Sequence, residues 1–109
     1  MKDRSPVILV SGLKKIAEAG GLVEIVSEVD AEKNGSTWTG EWYVYGTDPE
    51  NSERFLLVQH INIEPRIIKT AIGVISFCHS IGFKSAVVPL FKGETATLQN
   101  ANNTTKTTI

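Results

Sequence analysis

The sequence feature that most constrains the fold is a long apolar segment at residues 66–81, which lies between Pro65 and Gly82. Proline favours the first position of a helix and glycine favours the position after its end, so these two residues predict a helix over the segment. At about 100° per residue, one half of that helix is apolar, comprising Ile67, Ile68, Ala71, Ile72, Val74, Ile75, Cys78 and Ile81. The opposite half carries Arg66, Lys69, Thr70, Gly73, Ser76, Phe77 and Ser80. The pattern predicts that this helix forms the main wall of a hydrophobic core.

Another helix is predicted near the N-terminus, over residues 6–19. Ser5-Pro6 is a favourable helix start, and Gly20-Gly21 is a favourable stop. Residues 7–10 are all apolar and would also suit a short strand. The pattern therefore leaves open whether this helix begins as a strand.

Alternating apolar and polar residues predict three strands between the two helices. They span residues 22–30, 37–45 and 54–63. Asn34-Gly35 predicts the tight turn that joins the first two strands. A fourth strand is predicted at residues 85–90, where Pro89 restricts it to a sheet edge or to the end of the strand.

The resulting order is α-β-β-β-α-β, and a chain of 109 residues fits one domain. The order predicts a two-layer α+β fold, with both helices on one face of a mainly antiparallel sheet. We expect this domain to occupy residues 1–93. Residues 94–109 are rich in Thr and Asn and predict a polar, disordered C-terminal tail. The partner of the fourth strand is left open.

The composition favours a cytoplasmic protein. Cys78 is the single cysteine, so no disulfide can form within the chain, as is usual in a reducing compartment. The apolar run at residues 7–10 is too short for a signal peptide. No apolar run approaches the roughly 18 residues that predict a membrane span, so we expect no membrane partner.

The sequence contains no motif that indicates catalysis or metal binding. Cys78 and His79 are adjacent on a predicted helix, where neighbouring side chains point about 100° apart and do not form a dyad. The metal-ligand spacings Cys-x-x-Cys and His-x-x-x-His are missing from the sequence. We therefore predict no catalytic residue, no metal and no cofactor. A small enzyme that uses His60 or His79 remains an alternative.

Nucleic-acid binding is a further alternative, with Lys14, Lys15, Arg66 and Lys69 on the two predicted helices as candidate contacts. The first five elements follow the order of double-stranded-RNA-binding domains. The likeness ends at that order, because the chain lacks the lysine cluster and the Gly-Pro-x-His loop of those domains. Four dispersed bases in a chain of net charge −1 do not favour this function.

The charge of the chain is unevenly distributed. Residues 18–53 contain nine acidic side chains and one basic side chain, Lys33. An acidic surface of this kind can attract a basic protein through long-range electrostatics. An inhibitor or mimic that binds a basic protein is therefore another alternative.

Two predicted surfaces favour protein binding. The first is the helix flank with Arg66, Gly73 and Phe77, because a large ring beside small residues is typical of close contacts between helices. The alternative is that Phe77 is covered within the monomer. The second is the outer sheet face with Tyr43 and Tyr45, since tyrosine is enriched in interfaces. We therefore predict a non-enzymatic protein-interaction or adaptor domain with an unknown protein partner. We expect it to self-associate through the second helix or an edge strand.

Overall fold

A computed structural model of the chain describes residues 6–61 and 63–99. Its elements, in chain order, are β1 (Val7–Ile8), α1 (Val10–Glu18), β2 (Leu22–Ser27), β3 (Glu32–Asn34), β4 (Thr37–Thr47), β5 (Arg54–Leu57), β6 (Ile68–Thr70), α2 (Ala71–Ile81) and β7 (Thr95–Gln99).

The long strand β4 organises the single sheet. The strand order is β1-β5-β4-β2-β7, and β3 and β6 pair with the N-terminal part of β4 on its two sides. The β1–β5 pair is parallel, and the other strand pairs are antiparallel. The predicted α+β class with a mainly antiparallel sheet is therefore confirmed, although the element order is longer than predicted.

Both helices pack on one face of the sheet and share its core. Strand alternation directs one set of side chains from β2 and β4 toward the helices. The buried cluster comprises Leu13, Ala17, Val23, Ile25, Trp42, Val44, Leu57, Ile68, Val74, Phe77, Cys78, Ile81, Phe83 and Leu98. Gly46 of β4 lies directly under α1, where an added side-chain carbon would collide with Leu13. Glycine at this position lets the helix approach the sheet.

The N-terminal helix begins later than predicted, at Val10 rather than at residue 6. Val7–Ile8 instead forms β1, which runs parallel to β5. The backbone N–H of Leu56 donates to the Pro6 carbonyl at 2.7 Å, and that of Val58 donates to the Ile8 carbonyl at 3.0 Å. The strand alternative for the start of this helix is thus correct, because β5 offers an unpaired edge to these apolar residues.

The second helix also begins later than predicted, at Ala71 rather than after Pro65. Thr70 is its N-cap, and its hydroxyl accepts a hydrogen bond from the Gly73 N–H at 2.9 Å. The preceding residues Ile68–Thr70 form β6 against β4. Isoleucine and threonine are β-branched and favour a strand where an open partner is available.

The fourth strand predicted at residues 85–90 is wrong, because this segment is irregular. The indole N–H of Trp42 donates to the Pro89 carbonyl at 2.7 Å, and the Ala31 N–H donates to the Leu90 carbonyl at 2.8 Å. Pro89 has no N–H to donate. The segment is therefore held over the core by a side chain and a loop instead of a strand ladder.

The seventh strand lies within the predicted tail. Thr95–Gln99 pairs with β2 from Val26↔Thr95 to Leu22↔Gln99, so the prediction of a disordered segment is wrong for these residues. Residues 100–109, the rest of that predicted tail, lie outside the described residues. The strands predicted at residues 22–30 and 54–63 are shorter than expected and end at Ser27 and Leu57.

Within the described part of the chain, neither helix has the length and apolar character that crossing a membrane requires.

Candidate interaction surfaces

The helix flank predicted as an interface is occupied within the subunit. Phe77 is 5% exposed and belongs to the core, together with Val74, Cys78 and Ile81. The Arg66 guanidinium lies 5.4 Å from the centroid of the Phe77 ring, within the usual range of a cation–π contact. A side-chain carbon at Gly73 would meet Ile68 and Thr70 at 2.9 Å, so this glycine packs against β6. The alternative that Phe77 is covered within the monomer is therefore correct.

The opposite side of α2 carries the exposed apolar residues of this helix. Ile72 is 65% exposed and Ile75 is 51% exposed, and their spacing of three residues places them on the same side of the helix. Ser76 and His79 are also exposed. The sequence pattern assigned both isoleucines to the core. The large Phe77 ring occupies the core instead, and α2 has more apolar residues than one side of a helix can bury.

On the outer sheet face, Tyr45 is closed off by its neighbours. The register places it opposite Glu24 on β2 and opposite Leu56 on β5. Arg54 donates from Nε to Glu24 Oε1 at 2.8 Å, and its guanidinium lies 3.6 Å from the Tyr45 ring centroid. Tyr45 is consequently only 7% exposed. This interface candidate is part of a packed polar and aromatic cluster.

Tyr43 is the more accessible of the two tyrosines and is half-buried. It packs against the smaller apolar cluster that contains Tyr45, Leu56 and Val58. Burial raises the pKa of Tyr43, and the negative charges of Glu28 and Glu41 raise it further. The Tyr43 phenol therefore keeps its proton to a higher pH than the phenol of an exposed tyrosine.

The four candidate nucleic-acid contacts do not lie on two basic helices as predicted. Lys14 and Lys15 are exposed on α1, but Arg66 precedes β6 and Lys69 belongs to it. The helix α2 contains neither lysine nor arginine. Lys69 lines a depression of about 460 Å³ with the carboxylates of Asp30, Glu32 and Glu41. At this position, acidic side chains offset the positive charge.

The two candidate catalytic histidines are exposed, whereas the only thiol of the chain is buried. His60 lines a pocket of about 580 Å³ with Ser11 and Arg66, whereas His79 is exposed on α2. Cys78 is 2% exposed, and burial raises the pKa of its thiol. Among residues 6–61 and 63–99, no group of three or more His, Cys, Asp or Glu side chains is arranged to hold a metal ion.

The strand β7 forms one edge of the sheet and pairs only with β2 in the described chain. The Ser27 N–H donates to the Glu94 carbonyl at 2.9 Å, so the carbonyl of Glu94 points toward β2. In an antiparallel ladder, alternate residues direct both N–H and C=O toward the same neighbour. Ala96 and Leu98 therefore bond to β2. The backbone groups of the intervening residues point outward, namely those of Thr95, Thr97 and Gln99.

An open apolar groove lies beside the first half of β7. Its volume is about 460 Å³, and it is lined by Val87, Leu90, Phe91 and the start of the strand. Phe91 is 62% exposed. Sequence reasoning missed this surface because the polar composition of residues 94–109 hid a strand, and because residues 85–90 were assigned to one.

Comparison of the chain with protein-family models, with curated proteins and with solved structures gave no match.

Proposed function

We propose that this chain is a non-enzymatic protein-interaction or adaptor domain that self-associates in the cytoplasm. The observation that carries the proposal is the exposure of large apolar side chains in two separate places, at Val87, Leu90 and Phe91 beside β7 and at Ile72 and Ile75 of α2, either of which a second copy could cover. Grouped apolar residues of this kind are typical of surfaces that another protein covers.

The placement of the reactive side chains supports binding over catalysis. The thiol of Cys78 is enclosed in the core, where it packs as a small apolar group. Among the described residues, His60 forms no hydrogen bond with Ser11 or Arg66, although all three line one pocket. A general base is usually oriented by such a bond.

Light scattering after size-exclusion chromatography tests self-association directly. We expect the mass to rise from that of one chain toward that of two as the protein concentration increases from low to high micromolar. Ile61→Glu changes an exposed isoleucine on a loop and should leave this concentration dependence unchanged. A mass of one chain at all concentrations would exclude self-association.

The acidic depression with Asp30, Glu32 and Glu41 favours a second candidate function, the binding of a basic protein. Steering by exposed charges weakens with ionic strength, because the screening length falls to about 8 Å at physiological salt. We expect binding of polylysine to weaken sharply between low and high salt and to weaken further in Glu32→Gln. Affinity that is independent of salt would argue against this function.

A further inference from the structure

We propose that a second copy of this chain pairs with the free edge of β7, so that two sheets join into one across a two-fold axis. The inference rests on the proposed self-association and names the surface that produces it. The two β7 strands would run antiparallel, with Thr97 on the axis.

The backbone of β7 fits this pairing. The hydrogen bond between Ser27 and Glu94 fixes which residues of β7 direct their backbone groups toward β2. The N–H and C=O groups that point away from β2 belong to Thr95, Thr97 and Gln99. With Thr97 on the axis, it faces Thr97 of the second copy, and Thr95 faces Gln99 of the second copy. Residues in such pairs exchange both N–H···O bonds. Every outward backbone group of the strand therefore finds a partner.

The side chains of β7 are also compatible with a second copy. The strand reads Thr-Ala-Thr-Leu-Gln and contains neither a charge nor a proline. Monomeric proteins commonly protect their edge strands with lysine, proline, a bulge or short length. The opposite edge strand, β1, has two residues and is protected by its length. The pairing of β7 with itself brings no like charges together within the strand.

The apolar groove beside β7 lies where the second strand would arrive. Ala96 faces the core side of the sheet, since it is paired with Ile25. In the proposed register, Leu98 of the second copy lies opposite Ala96 on that same side. The groove formed by Val87, Leu90 and Phe91 borders Ala96. Pairing would therefore cover exposed apolar surface as well as backbone groups.

A proline at position 97 separates this interface from the fold itself. Thr97→Pro removes an N–H that points outward, and proline is tolerated on an edge strand at such a position. Thr97→Val keeps the N–H and the β-branched shape and is the matched control. In light scattering, we expect Thr97→Pro to shift the concentration of half-association at least tenfold upward, and Thr97→Val to leave it unchanged.

A second variant tests the competing surface. Ile72→Glu places a charge on the exposed side of α2 and should leave the association intact. If the protein still dimerises with Thr97→Pro, or if Ile72→Glu dissociates the dimer, the pairing through β7 is refuted. Self-association itself would still stand in both cases. A wild-type chain that never dimerises would instead contradict the proposed function.

Amide hydrogen exchange in the wild-type protein tests the pairing through β7 even if Thr97→Pro fails to fold. In the wild-type protein, we expect the amides of Ala96 and Leu98 to be protected at all concentrations, because they bond to β2. Protection of the Thr97 amide should appear only as the concentration rises. Fast exchange at Thr97 in a sample that is dimeric by light scattering would refute the pairing.

Discussion

The two faces of the sheet are closed in different ways. The helix side is covered by α1, α2 and the segment at residues 85–90, and Trp42 at its centre is completely buried. The opposite side carries a smaller cluster, in which the guanidinium of Arg54 covers the ring of Tyr45. The first arrangement depends on burial of a large apolar cluster, whereas the second combines a small apolar cluster with one ion pair and one stacked cation.

Both faces of the sheet are covered from within the subunit, so the proposed pairing uses the edge of the sheet. Burial on the helix side is worth about 1.5–3 kcal/mol for each large apolar side chain, so the helices are held firmly on the sheet. The outer cluster is weaker but still covers Tyr45. The edge at β7 retains backbone groups without a partner in the described chain, and the apolar groove lies beside it.

Truncation of Trp42 should produce the largest effect on stability. We expect Trp42→Ala to lower the free energy of unfolding by about 3–5 kcal/mol, because it leaves a cavity and removes the hydrogen bond to Pro89. Trp38 lies on the same strand but is 43% exposed, so Trp38→Ala should cost less than about 1 kcal/mol. Urea denaturation measures the free energy of unfolding of both variants. Equal losses of stability in the two would show that the helix side is not the main core.

The reactivity of Cys78 reports on the same face. Its thiol is buried and its pKa is raised, so a thiol reagent should modify it only when the domain opens. We expect Trp42→Ala to increase the modification rate at least about a hundredfold, since 1.4 kcal/mol corresponds to a factor of ten. Arg54→Ala should change the rate by less than about tenfold. Fast modification of the wild-type protein would place Cys78 outside the core.

Removal of Arg54 should have a smaller effect on stability. Its ion pair with Glu24 is partly exposed, and its stacking on Tyr45 adds a modest contribution. We expect Arg54→Ala to lower the free energy of unfolding by about 1 kcal/mol. Arg54→Lys retains the charge but loses the planar stacking, so it should recover only part of that loss. A loss as large as that of Trp42→Ala would mean that the two faces contribute equally.

The smallest expected effect concerns Tyr43 at high pH. Because its pKa in the folded state is raised above the ordinary value of 10.0, unfolded chains release the proton first as the pH increases. The resulting stabilisation is complete below pH 10 and is lost as the pH rises through the folded-state pKa.

Carbon-13 shifts of the tyrosine rings can follow this titration residue by residue. Glu41→Gln should lower the pKa of Tyr43 without abolishing the shift, since burial is the larger cause. Glu32→Gln is the matched control and should leave the pKa unchanged. An unchanged pKa in both Glu41→Gln and Glu28→Gln would show that these carboxylates do not act on Tyr43.

Local patterns predicted the fold class but not the contacts between distant segments. The alternation in β2 and β4 and the turn at Asn34-Gly35 were sufficient to predict a hairpin, and Gly82 does end α2 in a left-handed conformation. The start of α2 could not be read from Pro65, because β6 forms only when β4 offers an open edge.

The candidate surfaces were harder to predict, because they depend on which of several apolar residues the core accepts. Phe77 occupies the core at the expense of Ile72 and Ile75, and helical spacing alone does not rank these residues. The burial of Tyr45 depends on Arg54, which lies on a different strand. The polar strand β7 has the composition of a loop and becomes recognisable only through its pairing with β2.

The most direct test of the account is an isotope-filtered nuclear Overhauser measurement on a mixture of labelled and unlabelled protein. The α-protons of Ala96 and Leu98 point away from β2, because their N–H and C=O groups point toward it. The proposed pairing predicts an intermolecular signal between the α-proton of Ala96 and that of Leu98 in the second copy. Intermolecular signals at Ile72 and Ile75 with none along β7 would contradict it.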